Sequence, residues 1–178
     1  MMYILENKNI TLRALEPEDL DILFEIENNR NLWMVSNTLT PFSRDLLKKY
    51  IDQSHLDIYE AKQLRLVISS KETGKVMGLV DLFDFDPHHL RVGIGISVLP
   101  SHQRRGIAKQ SIEIMLNYVF DQLGLHQVYA NIPTKNEKSR NLFKNIGFIC
   151  TGSRKDWIRL NDEYLDVEIY QYLNPKHL

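Results

Sequence analysis

The run Ile96-Ser97-Val98-Leu99-Pro100-Ser101-His102-Gln103-Arg104-Arg105-Gly106-Ile107-Ala108 is the part of this chain whose residue types and spacing point most directly to chemistry. An alternating apolar pattern stops at a proline and a helical pattern starts at a glycine, so a strand turns directly into a helix. The first N–H groups of a helix have no internal acceptor and sit at the positive end of its dipole, which makes such a junction a phosphate-binding point. Gly106 permits close backbone approach, Ala108 is small enough not to block it, and Arg104 and Arg105 add local positive charge. The run lacks the Gly-Lys-Ser/Thr ending of a P-loop and the three glycines of a dinucleotide fingerprint. Gly93-Ile94-Gly95 is only a Gly-x-Gly inside a strand.

Groups able to move protons lie just upstream. Asp81, Asp84 and Asp86 are followed by His88 and His89. Strand alternation puts Asp84 and Asp86 on one face with Leu82 and turns Asp81 to the other. The histidine pair reads as an exposed turn rather than a metal site, and no metal is expected. Cys150 has no second cysteine for a disulfide or a zinc site, and it reads as a small buried residue of a strand.

The chain must supply elements that hold these groups. With 178 residues, 43% apolar and 25% charged, it suits one folded domain over residues 1–178. A net charge of -1, from 22 basic and 23 acidic residues, gives no broad field for a nucleic acid or an anionic membrane, and neither partner is expected. Met1 to Ile10 has no signal-peptide-like run and no segment is apolar enough to cross a bilayer, so a cytoplasmic location is expected.

Asn9 to Leu15 alternates as a first strand. Glu16-Pro17-Glu18-Asp19 then starts a helix that ends near Asn28-Asn29. After an irregular stretch with Trp33 and Pro41, Ser43 caps a second helix carrying Leu46, Leu47, Tyr50 and Ile51. Glu25, Glu27, Asp45 and Asp52 read as solvent-facing helix charge. Leu64 to Ser69, Val76 to Phe85 and Leu90 to Leu99 form three antiparallel strands, and an amphipathic helix runs from Gly106 to about Gln122. There follow a strand from His126 to Ile132, a helix from Asn136 to Gly147, and a strand from Phe148 to Ser153. Asp156 to Arg159 and Glu163 to Leu173 close a hairpin around Leu160-Asn161-Asp162. The reading is a mixed α+β fold.

Two motifs carry a family resemblance. Gln103-Arg104-Arg105-Gly106-Ile107-Ala108 resembles the Gln/Arg-x-x-Gly-x-Gly/Ala signature of the GNAT N-acetyltransferases. The run from Asn136 through Ser139, Leu142 and Phe143 to Gly147-Phe148 is similar to that family's Asn-x-x-(Ala/Ser)-x-x-Leu-Tyr-x-x-x-Gly-Phe helix. The likeness extends over nearly the whole chain to the branch of spermidine N-acetyltransferases and ribosomal-protein N-terminal acetyltransferases.

The resemblance implies a central mixed, mostly antiparallel, six- to seven-stranded sheet with helices on both faces and a splayed strand pair that takes CoA. It implies transfer of acetyl from acetyl-CoA to a primary amine: a polyamine, another small amine, or a protein N-terminus. On this reading Ile96, Ser97 and Val98 offer backbone groups to pantetheine, and a strand N–H at Ile96 or Ser97 polarises the thioester. Gln103, Arg104, Arg105, Gly106, Ile107, Ala108 and Lys109 seat the pyrophosphate, and Asn131, Asn136, Ser139 and Phe143 lie on the other side of the cofactor. Asp84 is the candidate base.

Three departures stand out. Phe143 replaces a common tyrosine proton donor, Gly93 stands where spermidine enzymes carry an acid, and Thr38-Leu39-Thr40 replaces their acidic pair. A non-catalytic acyl-CoA-binding or sensing module is the alternative these departures motivate. A homo-oligomer is expected by resemblance alone.

Overall fold

The computed structural model describes residues 5–30, 32 and 38–177, so Trp33 and the first four residues lie outside it. Its element order is β1 (Ile10–Arg13), α1 (Leu20–Glu27), α2 (Arg44–Asp52), α3 (Ile58–Ala61), β2 (Leu64–Ser70), β3 (Val76–Asp86), β4 (Arg91–Val98), α4 (Ile107–Asn117), β5 (Gln127–Pro133), α5 (Glu137–Ile146), β6 (Ile149–Leu160) and β7 (Glu163–Leu173). The seven strands form one sheet in the order β1-β2-β3-β4-β5-β7-β6. Every neighbouring pair is antiparallel except β4 with β5, which are joined through α4 and run parallel.

Helix termini follow local chemistry. Ser43 Oγ accepts the Leu46 N–H at 3.1 Å and starts α2. Asn136 Oδ1 accepts the Ser139 N–H at 3.2 Å and starts α5, which stops at Gly147 in the left-handed region (φ 116°). Below Asn117, α4 widens into a π turn over Tyr118–Gln122, closed by the Leu123 N–H on the Tyr118 carbonyl at 3.2 Å.

Two apolar layers sandwich the sheet. On one face Ile112, Met115, Leu116 and Val119, at helical spacing on α4 and its π turn, pack with Val80, Leu82, Ile94 and Val128. On the other, Leu23 and Ile26 of α1 and Leu47 and Ile51 of α2 cover Val67 and Leu79. Each fully buried aliphatic side chain contributes roughly 1.5–3 kcal/mol over its exposed state. Among the described residues, the second layer is centred on β2 and β3.

Four expectations need correction. The β3–β4 register slips between Phe83 and Asp86, and Asp84 takes φ 49°. The bulge inserts a residue, so Phe85 joins Leu82 in the core and Asp84 turns out to solvent. Glu27 is not solvent-facing: its side chain is 13% exposed and pairs with Arg65. Phe148 to Ser153 and Asp156 to Arg159 are not separate strands, because β6 runs unbroken through bulges between Cys150 and Gly152 and between Arg154 and Ile158. Cys150 lies in that strand but is exposed, because β6 is an edge strand. Among the described residues, no helix is long and apolar enough to cross a membrane.

Candidate active site

Pairing between β4 and β5 lasts only from Arg91↔Gln127 to Gly93↔Tyr129. Beyond that point β4 stays with β3 while β5 stays with β7, and the two strands part. The cleft between them is lined by Ile94, Gly95 and Ile96 on one side, Ala130, Asn131, Ile132 and Pro133 on the other, and Asn136, Ser139 and Phe143 from α5 at the end.

The direction of the β4 backbone follows from the ladder. Leu99 N–H bonds Met77 O across β3 at 2.9 Å, and antiparallel partners alternate in bonding. The main-chain groups of Ser97 therefore turn toward β3, where the Ser97 carbonyl lies so close to Gly78 that a Cβ there would come within 2.2 Å of it. Those of Ile94, Ile96 and Val98 turn into the cleft. Val98 O is taken by Gln103 Nε2 at 3.0 Å and the Ile94 N–H closes the last rung of the parallel ladder at Tyr129, so among the described residues the Ile94 carbonyl, both Ile96 groups and the Val98 N–H remain open. Of the two expected polarising amides, Ile96 faces the cleft and Ser97 does not.

At the outer end of the cleft, Gly106 adopts φ 72° and Arg104 φ 60°, which bends the chain sharply into α4. Gly106 O accepts the Gln110 N–H at 3.1 Å, and the Gln110 side chain accepts Asn7 Nδ2 (3.1 Å) and Asn9 Nδ2 (2.9 Å), tying the turn to the β1 approach. Among the described residues, the N–H groups of Gly106, Ile107, Ala108 and Lys109 have no backbone acceptor. Arg104 and Arg105 are exposed and, among the described residues, have no acidic partner. Several donors thus surround one anion-sized point.

The three aspartates of β3 have different fates. Asp81 is held by Arg65 (Oδ1 to Nε 2.5 Å), which also grips Glu27 (Nη1 to Oε1 2.5 Å) and lies 5.5 Å over the Tyr50 ring. Burial opposes the Arg65 charge, but the two carboxylates outweigh it and raise its pKa. Asp86 caps the following turn, accepting the N–H groups of His88 (3.1 Å) and His89 (2.9 Å) and pairing with Arg91 at 3.1 Å. Those backbone bonds, His89's first, hold it below the usual carboxylate range.

Asp84 alone is exposed and lightly engaged, accepting the Tyr129 hydroxyl at 3.4 Å. Tyr129 lies on β5 opposite Gly93, where pairing ends. Its phenol is pushed up by burial and by the Asp84 charge, and so stays protonated near neutrality. The Phe83 ring meets Tyr129 edge-on at 5.9 Å and fills the space above Gly93, 2.2 Å from where a Cβ would stand. Phe143 is buried at the opposite side of the cleft, edge-on to Phe148 at 4.9 Å, and has no proton to give. Tyr129 and Phe83 escaped the sequence reading; the available signal was the alternation Tyr129-x-Asn131 on one strand face.

An acetyltransferase (GNAT) domain matches residues 9–149. The chain belongs to the GNAT acetyltransferases. It is 30% identical to a spermidine N(1)-acetyltransferase of Vibrio cholerae over 97% of each chain, and 28% identical to a putative ribosomal N-acetyltransferase of Bacillus subtilis over 94% of this chain and 92% of that one. The crystal structure of spermidine N-acetyltransferase from Vibrio cholerae in complex with CoA and spermine superposes with a TM-score of 0.86 at 29% identity, covering 96% of this chain and 99% of the other. The GNAT member described here is an acetyl-CoA-dependent N-acetyltransferase with an amine acceptor. The departures at Phe143 and Gly93 therefore belong to an enzyme of this family, whose co-substrate is acetyl-CoA.

Proposed function

We propose that acetyl-CoA lies in the β4–β5 cleft and that a small primary amine reaches it from the face of Asp84 and Tyr129. The observation that carries this reading is the course of the cleft. It leads from the unbonded amides at Gly106 to Lys109, past the inward-facing Ile96, to the end of pairing at Gly93 and Tyr129. The helix terminus suits a pyrophosphate, Ile94 and Ile96 suit an extended pantetheine, and the Ile96 N–H suits the thioester oxygen. Asn136 is committed to its helix cap and Asn131 to Arg154, so both shape the far wall rather than offering wholly free groups.

Asp84 holds the incoming ammonium and takes one N–H proton. The amine nitrogen then attacks the thioester carbon, the N–C bond forms, and the C–S bond breaks with its electron pair leaving on sulfur. The nitrogen sheds its second proton to water as the amide forms; Phe143 gives the thiolate no proton, so it leaves as such and water protonates it. The polyamine reading rests on the Vibrio relatives and the protein N-terminus reading on the Bacillus one.

The test is CoA thiol release from acetyl-CoA with spermidine, spermine, diamines, amino sugars and ribosomal N-terminal peptides. Turnover on one class selects the acceptor. Calorimetric binding of acetyl-CoA without turnover on any primary amine would overturn the proposal.

A further inference from the structure

Among the described residues, the charge of Arg154 meets no acid. Cross-strand register places it opposite Val167 of β7, which is opposite Pro133 of β5, and so on the sheet face that carries Tyr129 and Asn131. The bulge from Arg154 to Ile158 brings Trp157 beneath the guanidinium at 4.9 Å, and Arg154 Nη1 donates to Asn131 Oδ1 at 3.3 Å. Among the described residues no carboxylate pairs with Arg154, whereas its neighbours Lys155 and Arg140 are matched to Asp166 (2.6 Å) and Glu168 (2.8 Å). An aromatic face and an amide thus fix the guanidinium while leaving most of its five donors unused.

Asn131 lines the β4–β5 cleft, and Tyr129, two residues back on the same face, carries Asp84. Two residues of strand span about 6.5 Å. The Tyr129 hydroxyl responds to both charges, Asp84 raising its pKa and Arg154 lowering it, which agrees with their flanking one mouth.

We propose that the acceptor is an amine that carries its own anionic group a short distance away, with a free amino acid as the fitting class: Asp84 takes the ammonium and Arg154 the carboxylate. This inference rests on the acceptor side assigned above. In an amino acid the amine and the carboxylate share one carbon, so a hydrogen bond at each end joins groups held by neighbouring positions of one strand face, Tyr129 and Asn131. A polyamine presents a second positive charge to Arg154, and a peptide N-terminus presents only a neutral amide there.

The deciding experiment measures kcat/KM in the thiol-release assay for L-amino acids, for the matching amino acid amides, and for spermidine, with wild type, Arg154→Met and Arg154→Lys. Wild type is expected to favour acid over amide by roughly ten- to a hundredfold. Arg154→Met should erase that ratio by bringing kcat/KM on amino acids down to that on the amides, and Arg154→Lys should restore part of it. Amides or spermidine used as well as amino acids, or a Met variant that slows all acceptors alike, overturns the inference. A raised KM for acetyl-CoA would instead assign Arg154 to the coenzyme and overturn it too. If nothing turns over, the acceptor reading itself has failed. Calorimetric binding of free amino acids to the CoA-loaded protein, wild type against Arg154→Met, then still decides: binding lost in the variant supports the role of Arg154, and equal binding or none in wild type refutes it.

Discussion

Gly106 separates backbone strain from charge at the anion point, so two substitutions there test the pyrophosphate seat. At φ 72° the residue is left-handed, and a Cβ would meet only Gln110 Nε2 at 3.7 Å, with no clash. Gly106→Ala and Gly106→Glu therefore share one cost, about 1–2 kcal/mol for a left-handed L-residue. For a chain of this size that lowers the melting temperature by roughly 2–8 °C in both variants.

Only the glutamate adds a charge. A carboxylate about 4 Å from one phosphate charge costs about 1 kcal/mol in bulk water and about 4 kcal/mol at the effective dielectric of a protein surface. With 1.4 kcal/mol per tenfold, Gly106→Glu should bind acetyl-CoA between about fivefold and a thousandfold more weakly than Gly106→Ala. The difference should shrink in high salt. Calorimetric titration with acetyl-CoA, beside melting curves of both variants, measures the two effects separately. Equal affinity in the two variants at low salt would refute the placement of the pyrophosphate.

Asp84→Asn should lower kcat by about 10²–10⁴-fold with acetyl-CoA affinity unchanged, read from steady-state rates and calorimetry; a wild-type rate would remove Asp84 from the chemistry. Phe143→Tyr should raise turnover severalfold where departure of the thiolate limits the rate, and single-turnover acetyl transfer checks it. Asp19, 4% exposed, accepts Arg13 Nη1 (2.7 Å), Arg13 Nη2 (2.8 Å) and the Glu16 N–H (2.9 Å). Burial alone would raise its pKa, yet these bonds lower it below 3.8, so its stabilising effect is present above about pH 4 and disappears as pH falls through the lowered folded value. Asp19→Asn should therefore destabilise the protein at pH 7 and flatten the acid limb of its denaturant-midpoint profile.

Features with a local cause were legible in the sequence. The turn at Gly106, the Asn136 cap and the Gly147 stop each express the backbone preference of one residue, and the hairpin at Leu160-Asn161-Asp162 is a turn between alternating runs. What escaped depends on partners far along the chain. Glu27 looked like surface charge because Arg65, which buries it, is 38 residues away. The direction of Asp84 depends on a bulge that only the pairing of β3 with β4 reveals, since one inserted residue reverses every side chain beyond it. The choice between Ile96 and Ser97 required the ladder's phase, fixed by a single bond from Leu99 to Met77.

Two of the three departures from the family pattern fit together once the faces of the sheet are distinguished. Phe143 closes the α5 side of the cleft with an aromatic contact to Phe148, and Phe83 occupies the space above Gly93 on the other face. Neither position keeps an ionisable group. An acid at residue 93 would require the Phe83 ring to leave, and with it the edge-on support of Tyr129. The proposed proton transfer is thus confined to the bulge, where Asp84 is exposed and Tyr129 holds it by a phenol that keeps its proton. A bulged strand end aims its side chain without disturbing the core beneath, since Leu82 and Phe85 stay packed on the opposite face whatever occupies Asp84's position.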